Sequence, residues 1–152
     1  MRFSTRTRYG LRFLLHLASQ PQDKLLQLGQ VAHEENISQG YLEQIVRDLR
    51  PLGILHAVRG AGGGYKLTKP PSEINLEEIF QCLEGELSPV RCLEDKNLCQ
   101  RSGRCSTQNF WHAFDKHVRS FLQQHTLQGL LESTEHNATS GGNHVELHES
   151  CP

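Results

Sequence analysis

Three cysteines, Cys92, Cys99 and Cys105, sit within residues 90–106, VRCLEDKNLCQRSGRCS, with six and then five residues between them. Apart from the thiols the stretch is charged or small and polar, with Leu93 and Leu98 its main apolar side chains. Such a segment buries too little surface to offset the entropy of ordering itself, so it calls for a staple. A disulfide would use two of the three thiols and needs an oxidising compartment. Zinc takes its cysteines in tighter pairs, usually about two to four residues apart. An iron–sulfur cluster is wider, and its thiolate ligands can be spread along a loop that wraps it. The spacing favours the cluster, with zinc and free thiols as the alternatives.

The balance of charge points to a second chemistry. The chain has 152 residues and a net charge of −1, which conceals +5 over residues 1–69 and −6 over the remainder. A basic N-terminal half suits a polyanion partner. Residues 1–20, MRFSTRTRYGLRFLLHLASQ, are basic and then apolar like a leader, but Arg12 and His16 interrupt the apolar part. The stretch reads instead as an amphipathic helix of a cytoplasmic protein, and no run of the sequence is apolar enough to span a membrane.

The elements that would position these groups follow from periodicity. Residues 5–19 carry Tyr9, Leu11, Leu14, Leu15, Leu17 and Ala18 on one helical face, with Ser4 or Thr5 as cap. A short helix at 28–35 turns Leu28, Val31 and Ala32 inward and stops at Asn36. Ser38 caps a third helix that buries Leu42, Ile45, Val46 and Leu49. This leaves Gln39, Tyr41, Glu43, Gln44 and Arg47 around the outside, before Pro51 and Gly53 end it. Two short helices joined this way match a helix-turn-helix.

Residues 54–58 and 64–68 then read as strands joined by Arg59-Gly60-Ala61-Gly62-Gly63. This is a hairpin with a glycine-rich tip, the wing of a winged helix, with Arg59 as a charged probe for a groove. A phosphate-cradling GxGxxG must open a helix, and here the glycines lead into Tyr65, Lys66, Leu67 and Thr68, so a nucleotide site is rejected.

Asn75 caps a further helix carrying Leu76, Ile79, Phe80 and Leu83, with Cys82 on it as a small buried thiol. After the cysteine loop, Phe110, Trp111, Phe114, Val118, Phe121, Leu122 and Leu130 recur at helical steps, which predicts one long helix over 107–131. Its aromatic surface suits pairing with a second copy through Phe110, Phe114, Val118 and Phe121. The tail from about residue 133 reads as disordered. Its Cys151 is a bystander, and His136, His144 and His148 are at most adventitious metal traps. The expected organisation is mainly α with a small β-hairpin. It runs as a winged helix-turn-helix over 1–84, a cysteine-rich loop over 85–106, a dimerisation helix over 107–132 and a tail over 133–152.

Taken together, RTRYGLRFLLHLA, ISQGYLEQIVRDLRPLGILHAVRGAGGGYKL, the three-cysteine loop, FWHAF and FLQQHTLQGLLE resemble the Rrf2 family of winged-helix transcription regulators. Within that family they resemble the branch that carries an iron–sulfur cluster. The resemblance implies a homodimeric regulator of repressor type that binds double-stranded operator DNA. A cluster of the 2Fe–2S or 4Fe–4S type on Cys92, Cys99 and Cys105 would tune that binding to iron, redox state or nitric oxide. Ser38, Gln39, Tyr41, Glu43, Gln44 and Arg59 would meet DNA, with Glu43 suited to a cytosine amino group and Gln44 to an adenine. A family histidine that completes the ligand set is Gln108 here, and the positions where relatives use an N-terminal-helix ligand hold Arg8 and Arg12. The fourth ligand is thereby open among Gln108, Glu94, Asp95, His112 and an exogenous group. A cluster-free regulator with zinc-binding or disulfide-forming cysteines and an iron–sulfur electron carrier are the competing readings. An enzyme is disfavoured, since the sequence offers no base–nucleophile pair.

Overall fold

The computed structural model describes residues 3–95, 97, 99–101 and 104–139, with side chains through residue 133. Its elements are α1 (Thr5–Ala18), α2 (Leu28–Glu34), α3 (Gln39–Leu49), β1 (Leu55–Val58), β2 (Gly64–Leu67), α4 (Leu76–Glu84), α5 (Gln108–Gln123) and α6 (Leu127–Thr139). The expected mainly helical fold with one hairpin is the fold observed.

Local chemistry sets the boundaries. Ser4 Oγ accepts the Thr7 N–H at 3.3 Å, and Ser38 Oγ accepts the Tyr41 N–H at 3.2 Å. Asn75 Oδ1 accepts the Glu77 N–H at 2.8 Å, so each cap satisfies a donor the helix leaves open. Helix α2 ends where Asn36 takes φ 52°. The N–H of Ile37 then returns to Ala32 O at 3.0 Å and that of Asn36 to His33 O at 3.2 Å, a Schellman closure. Ile37 packs against the core, and Ser38 opens α3 at once. The turn between the two helices is therefore fixed by hydrogen bonds as well as by length.

The core is continuous. Phe13, Leu14, Leu42, Ile45, Leu49, Ile54 and Ile79 are fully buried within it, which brings α1, α3, the base of the hairpin and α4 together. Gly10 permits the close crossing of α1 and α4, because a Cβ there would lie 2.6 Å from Leu83 Cδ1. Strands β1 and β2 pair antiparallel from Leu55 with Leu67 to Val58 with Gly64. On its other edge Tyr65 exchanges two 2.9 Å backbone bonds with Leu26, which ties the hairpin to the body. At the tip Gly60 and Gly62 hold φ of 100° and 81°, a region that side-chain-bearing residues rarely occupy.

The expectation of a single helix over 107–132 is corrected. The chain breaks between Gln123 and Leu127, and α6 turns back to pack on α1. Asn75 Nδ2 donates to Gln123 O at 2.7 Å, and the Leu76 N–H donates to His125 O at 3.0 Å. The Leu127 N–H donates to Ile74 O at 2.9 Å, so the segment entering α4 supplies partners for the freed backbone groups. Thr126 Oγ1 accepts the Gly129 N–H at 3.2 Å and caps the new helix. The five-residue step from Leu122 to Leu127, both buried, marks the change of phase. Residues 133–139, expected as disordered tail, continue α6. Cys151, His144, His148 and the side chain of His136 lie outside the described residues.

Candidate nucleic-acid interface and cysteine loop

Helix α3 buries the four apolar residues expected of it and presents Gln39, Glu43, Gln44 and Arg47 to solvent, with Arg50 exposed just past its end. Gln39 Nε2 donates to Glu43 Oε1 at 2.9 Å, so the carboxylate is held by its own helix. Ser38 is exposed, with its hydroxyl engaged in the cap. Tyr41 is half-buried, its ring edge-on to Tyr9 and its hydroxyl 2.9 Å from Thr5 Oγ1, which directs its side chain against α1. Arg59 stands exposed where the hairpin turns. Glu43, Arg47 and Arg50 share a groove of about 250 Å3 with Leu28, Val46 and Tyr65. Sequence reasoning left Arg47 without a role and missed Arg50. The three-residue step between them on the outer face was the signal.

The cysteine loop begins in a single helical turn, Arg91–Leu93, and ends at Thr107, which precedes α5. Cys92, Cys99 and Cys105 are free thiols, each half-buried. Cys105 Sγ lies 3.3 Å from Thr107 Oγ1. The Thr107 hydroxyl and N–H hold the Cys105 thiol below the ordinary range against the effect of burial, with smaller help from the Gln108 N–H and the Arg101 charge. These partners favour the thiolate, the form that binds metal. Cys82 differs. Burial and then the charge of Asp48 push its thiol up, and its Sγ donates to Asp48 O at 2.9 Å, which makes it a structural thiol.

Among the described residues no three His, Cys, Asp or Glu side chains converge on a point that could hold a metal ion. The thiol set has the right chemistry for iron, but among the described residues the thiols do not converge as a cluster requires. The candidate fourth ligands are dispersed. Gln108 opens α5 with its N–H bonded to Cys105 O at 3.2 Å, Asp95 Oδ1 accepts the Asn97 N–H at 2.8 Å, and Glu94 and His112 are exposed. Arg8 and Arg12 of α1 have other partners. Arg12 Nη1 donates to Glu35 Oε2 at 2.7 Å, and Arg8 lies over the Tyr9 ring at 5.0 Å.

Helix α5 has an aromatic outer face. Phe110, Phe114 and Phe121 are 61%, 38% and 60% exposed, whereas Val118 is half-buried and packs on the core of its own chain. Between this helix and the start of α1 lies a cleft of about 320 Å3 walled by Phe3, Leu87, Pro89, Trp111 and Phe114, with Glu84 at its side. One residue clasps α5 to the segment that enters the cysteine loop. Arg119 Nε donates to Asp115 Oδ2 at 3.0 Å and Nη2 donates to Glu86 Oε1, with Ser88 Oγ at 3.5 Å and Glu77 Oε1 at 3.8 Å. Burial lowers its affinity for the proton, but the Asp115 and Glu86 carboxylates raise it by more, so the guanidinium stays charged.

A family model described as Rrf2, iron-dependent transcriptional regulator, matches residues 3–133. The transcriptional regulator CymR of Bacillus subtilis is 36% identical over 135 residues, covering 89% of this chain and 93% of its own length. Its solved structure, described as that of the global cysteine regulator of B. subtilis, superposes with a TM-score of 0.73 at 34% identity, covering 88% and 98%. The regulator NsrR of Halalkalibacterium halodurans is 36% identical over 137 residues (89% and 93%), and IscR of Yersinia pestis is 33% identical over 135 residues (89% and 82%). These relatives are transcriptional regulators rather than enzymes, and no described helix is long and apolar enough to cross a membrane. With a helix-turn-helix, a glycine-tipped wing and a family match over residues 3–133, the chain belongs to the Rrf2 family of DNA-binding transcription regulators.

Proposed function

We propose that the protein is a homodimeric repressor that grips operator DNA with α3 and the wing and takes its regulatory input at the cysteine loop. The observation that carries this reading is the pairing of the polar outer face of α3 with an exposed Arg59 at a glycine-tipped hairpin, both in the basic half of the chain. The N-terminal half of α3 suits a major groove, where Gln39, Glu43 and Gln44 can meet base edges. The start of α3 at Ser38 offers backbone N–H groups to phosphate. Arg47 and Arg50 add positive charge toward the backbone on the flank facing β2. A second copy docked on Phe110, Phe114 and Phe121 would place two such units for a palindromic site.

The proposed input is iron, held as an iron–sulfur centre by Cys92, Cys99 and Cys105. The family description as iron-dependent and the three thiols on one loop support it, and the loop would have to rearrange for the thiols to converge. When bound, such a centre would supply a redox- and iron-responsive cross-link of the loop. Selection from a random duplex pool, with protein purified with and without oxygen, tests both parts. Enrichment of a palindrome supports the operator reading, and failure to enrich any sequence overturns it. Iron and sulfide in protein purified without oxygen, with visible charge-transfer bands, support the cluster. A colourless, iron-free protein would overturn it.

A further inference from the structure

A second cleft lies at the base of the wing, away from the cysteine loop. Its apolar floor is Leu17 and Ala18 from the end of α1, Leu67 of β2 and Pro71. Lys24, Lys66 and Lys69 stand around it, and among the described residues no carboxylate lines it. Its volume of about 150 Å3 matches an engineered apolar cavity that takes up benzene. Asp23, fully exposed, lies 3.5 Å from Lys66 Nζ and is a weak competitor in water. Tyr65 shares the groove of Glu43, Arg47 and Arg50, whereas Lys66 and Leu67 line this separate cleft, with His56 as the cross-strand partner of Lys66. This separation and the concave apolar floor favour a small ligand over a duplex backbone, which needs neither.

We infer that this cleft binds a small carboxylate with a compact ring or branched apolar body, and that the bound acid sets the posture of the wing. The apolar body fills the floor and the carboxylate meets the lysines, a few placed polar groups over an apolar lining. The acid would join the end of α1 to β2, whose partner strand β1 leads to Arg59 at the tip, and to the turn that enters α4. The binding claim stands by itself. The coupling to DNA rests on the function proposed above.

Benzoate is the probe, titrated into the full chain without DNA to about 10 mM, where a site with a Kd of about 1 mM is nine-tenths filled. It should shift the methyl resonances of Leu17, Ala18 and Leu67 saturably and leave those of Leu83 and Leu87 in place. Benzamide, of similar shape without the charge, should bind about tenfold or more weakly. The double variant K24Q/K69Q, altered only at the rim, should keep its melting curve and lose benzoate. Absence of saturable shifts, equal binding of benzamide, or benzoate binding retained by the double variant each overturn the inference. So does the alternative that the lysines hold DNA: no benzoate shift, with a salt slope for duplex binding smaller by about two in the double variant. With operator present, saturating benzoate should change DNA affinity about fivefold or more, and an unchanged affinity overturns the wing coupling. A wild-type chain that binds no duplex would sink the repressor reading while the methyl shifts still stand.

Discussion

Replacing Arg119 with Met removes the cation at the centre of three carboxylates and keeps most of the side-chain volume. Asp115 and Glu77 are 20% and 17% exposed and Glu86 is 45% exposed, so two of the three are left well shielded from water. Exposed pairs contribute about 0.2–1 kcal/mol each, and stripping the partner from a fully buried pair costs about 3–5 kcal/mol. Arg119 lies between these limits at 26% exposure, and the contact to Glu77 at 3.8 Å is long. Discounted for solvent, the loss should be about 2 kcal/mol at pH 7, which lowers Tm by about 4–8 °C for a chain of this size. Melting must be followed at fixed protein concentration, since association shifts Tm. A Tm loss below about 1 °C at pH 7 would show that Arg119 is not the clasp described.

Other outcomes follow from single contacts. Arg59→Ala should weaken operator binding by about 1–3 kcal/mol in fluorescence anisotropy at fixed salt, and unchanged affinity would remove the wing from the interface. Phe114→Glu with Phe121→Glu should give a monomer by sedimentation, since both rings are exposed on α5; a dimer of wild-type affinity would assign the interface elsewhere. Burial raises the Glu84 carboxyl, but Thr7, the Ser4 N–H and hydroxyl and the Arg6 charge lower it by more, so its folded pKa lies below 4.5. The stability from a depressed carboxylate is present above the unfolded pKa and lost as pH falls through the folded one. The advantage of wild type over Glu84→Gln in urea melts should therefore shrink below about pH 4.5, and a gap that widens in acid contradicts this. Cys105→Ala should abolish iron binding and Cys82→Ala should leave it, measured as iron per chain after reconstitution without oxygen.

Residues 4–84 were legible because their signals are local. Ser4, Asn36, Ser38 and Asn75 mark boundaries through bonds to residues no more than five positions away along the chain, and the 3.6-residue period names the buried face of α3 without knowledge of its neighbours. The break at residues 124–126 was not legible, because bonds from the segment entering α4 stabilise it, about fifty positions earlier. Phe110 through Leu130 keep a helical rhythm on both sides of the break, so periodicity alone joins them. The same limit applies to Tyr41, which looks like an outward residue of α3 until Tyr9 and Thr5 of α1 are placed beside it.

That break decides what α5 is free to do. Had one helix run on past Gln123, its apolar residues would have been divided between the core and the outside along a single axis. Instead Leu127 and Leu130 pack into the core through α6, with Leu127 fully buried and Leu130 beside it. Helix α5 keeps only Leu122 fully inside and turns Phe110, Phe114 and Phe121 outward. Its attachment to the body therefore leans on polar contacts, with Arg119 holding Asp115 on one side and Glu77 and Glu86 on the other. Glu86 stands six residues before Cys92, and Cys105 three residues before the first residue of α5, so the cysteine loop is spanned by the two elements Arg119 clasps. A change in the loop has two routes to the exposed aromatic face, through the first turn of α5 and through this clasp. The second route can be cut by itself with Arg119→Met, whereas Cys105→Ala removes a proposed ligand together with the first.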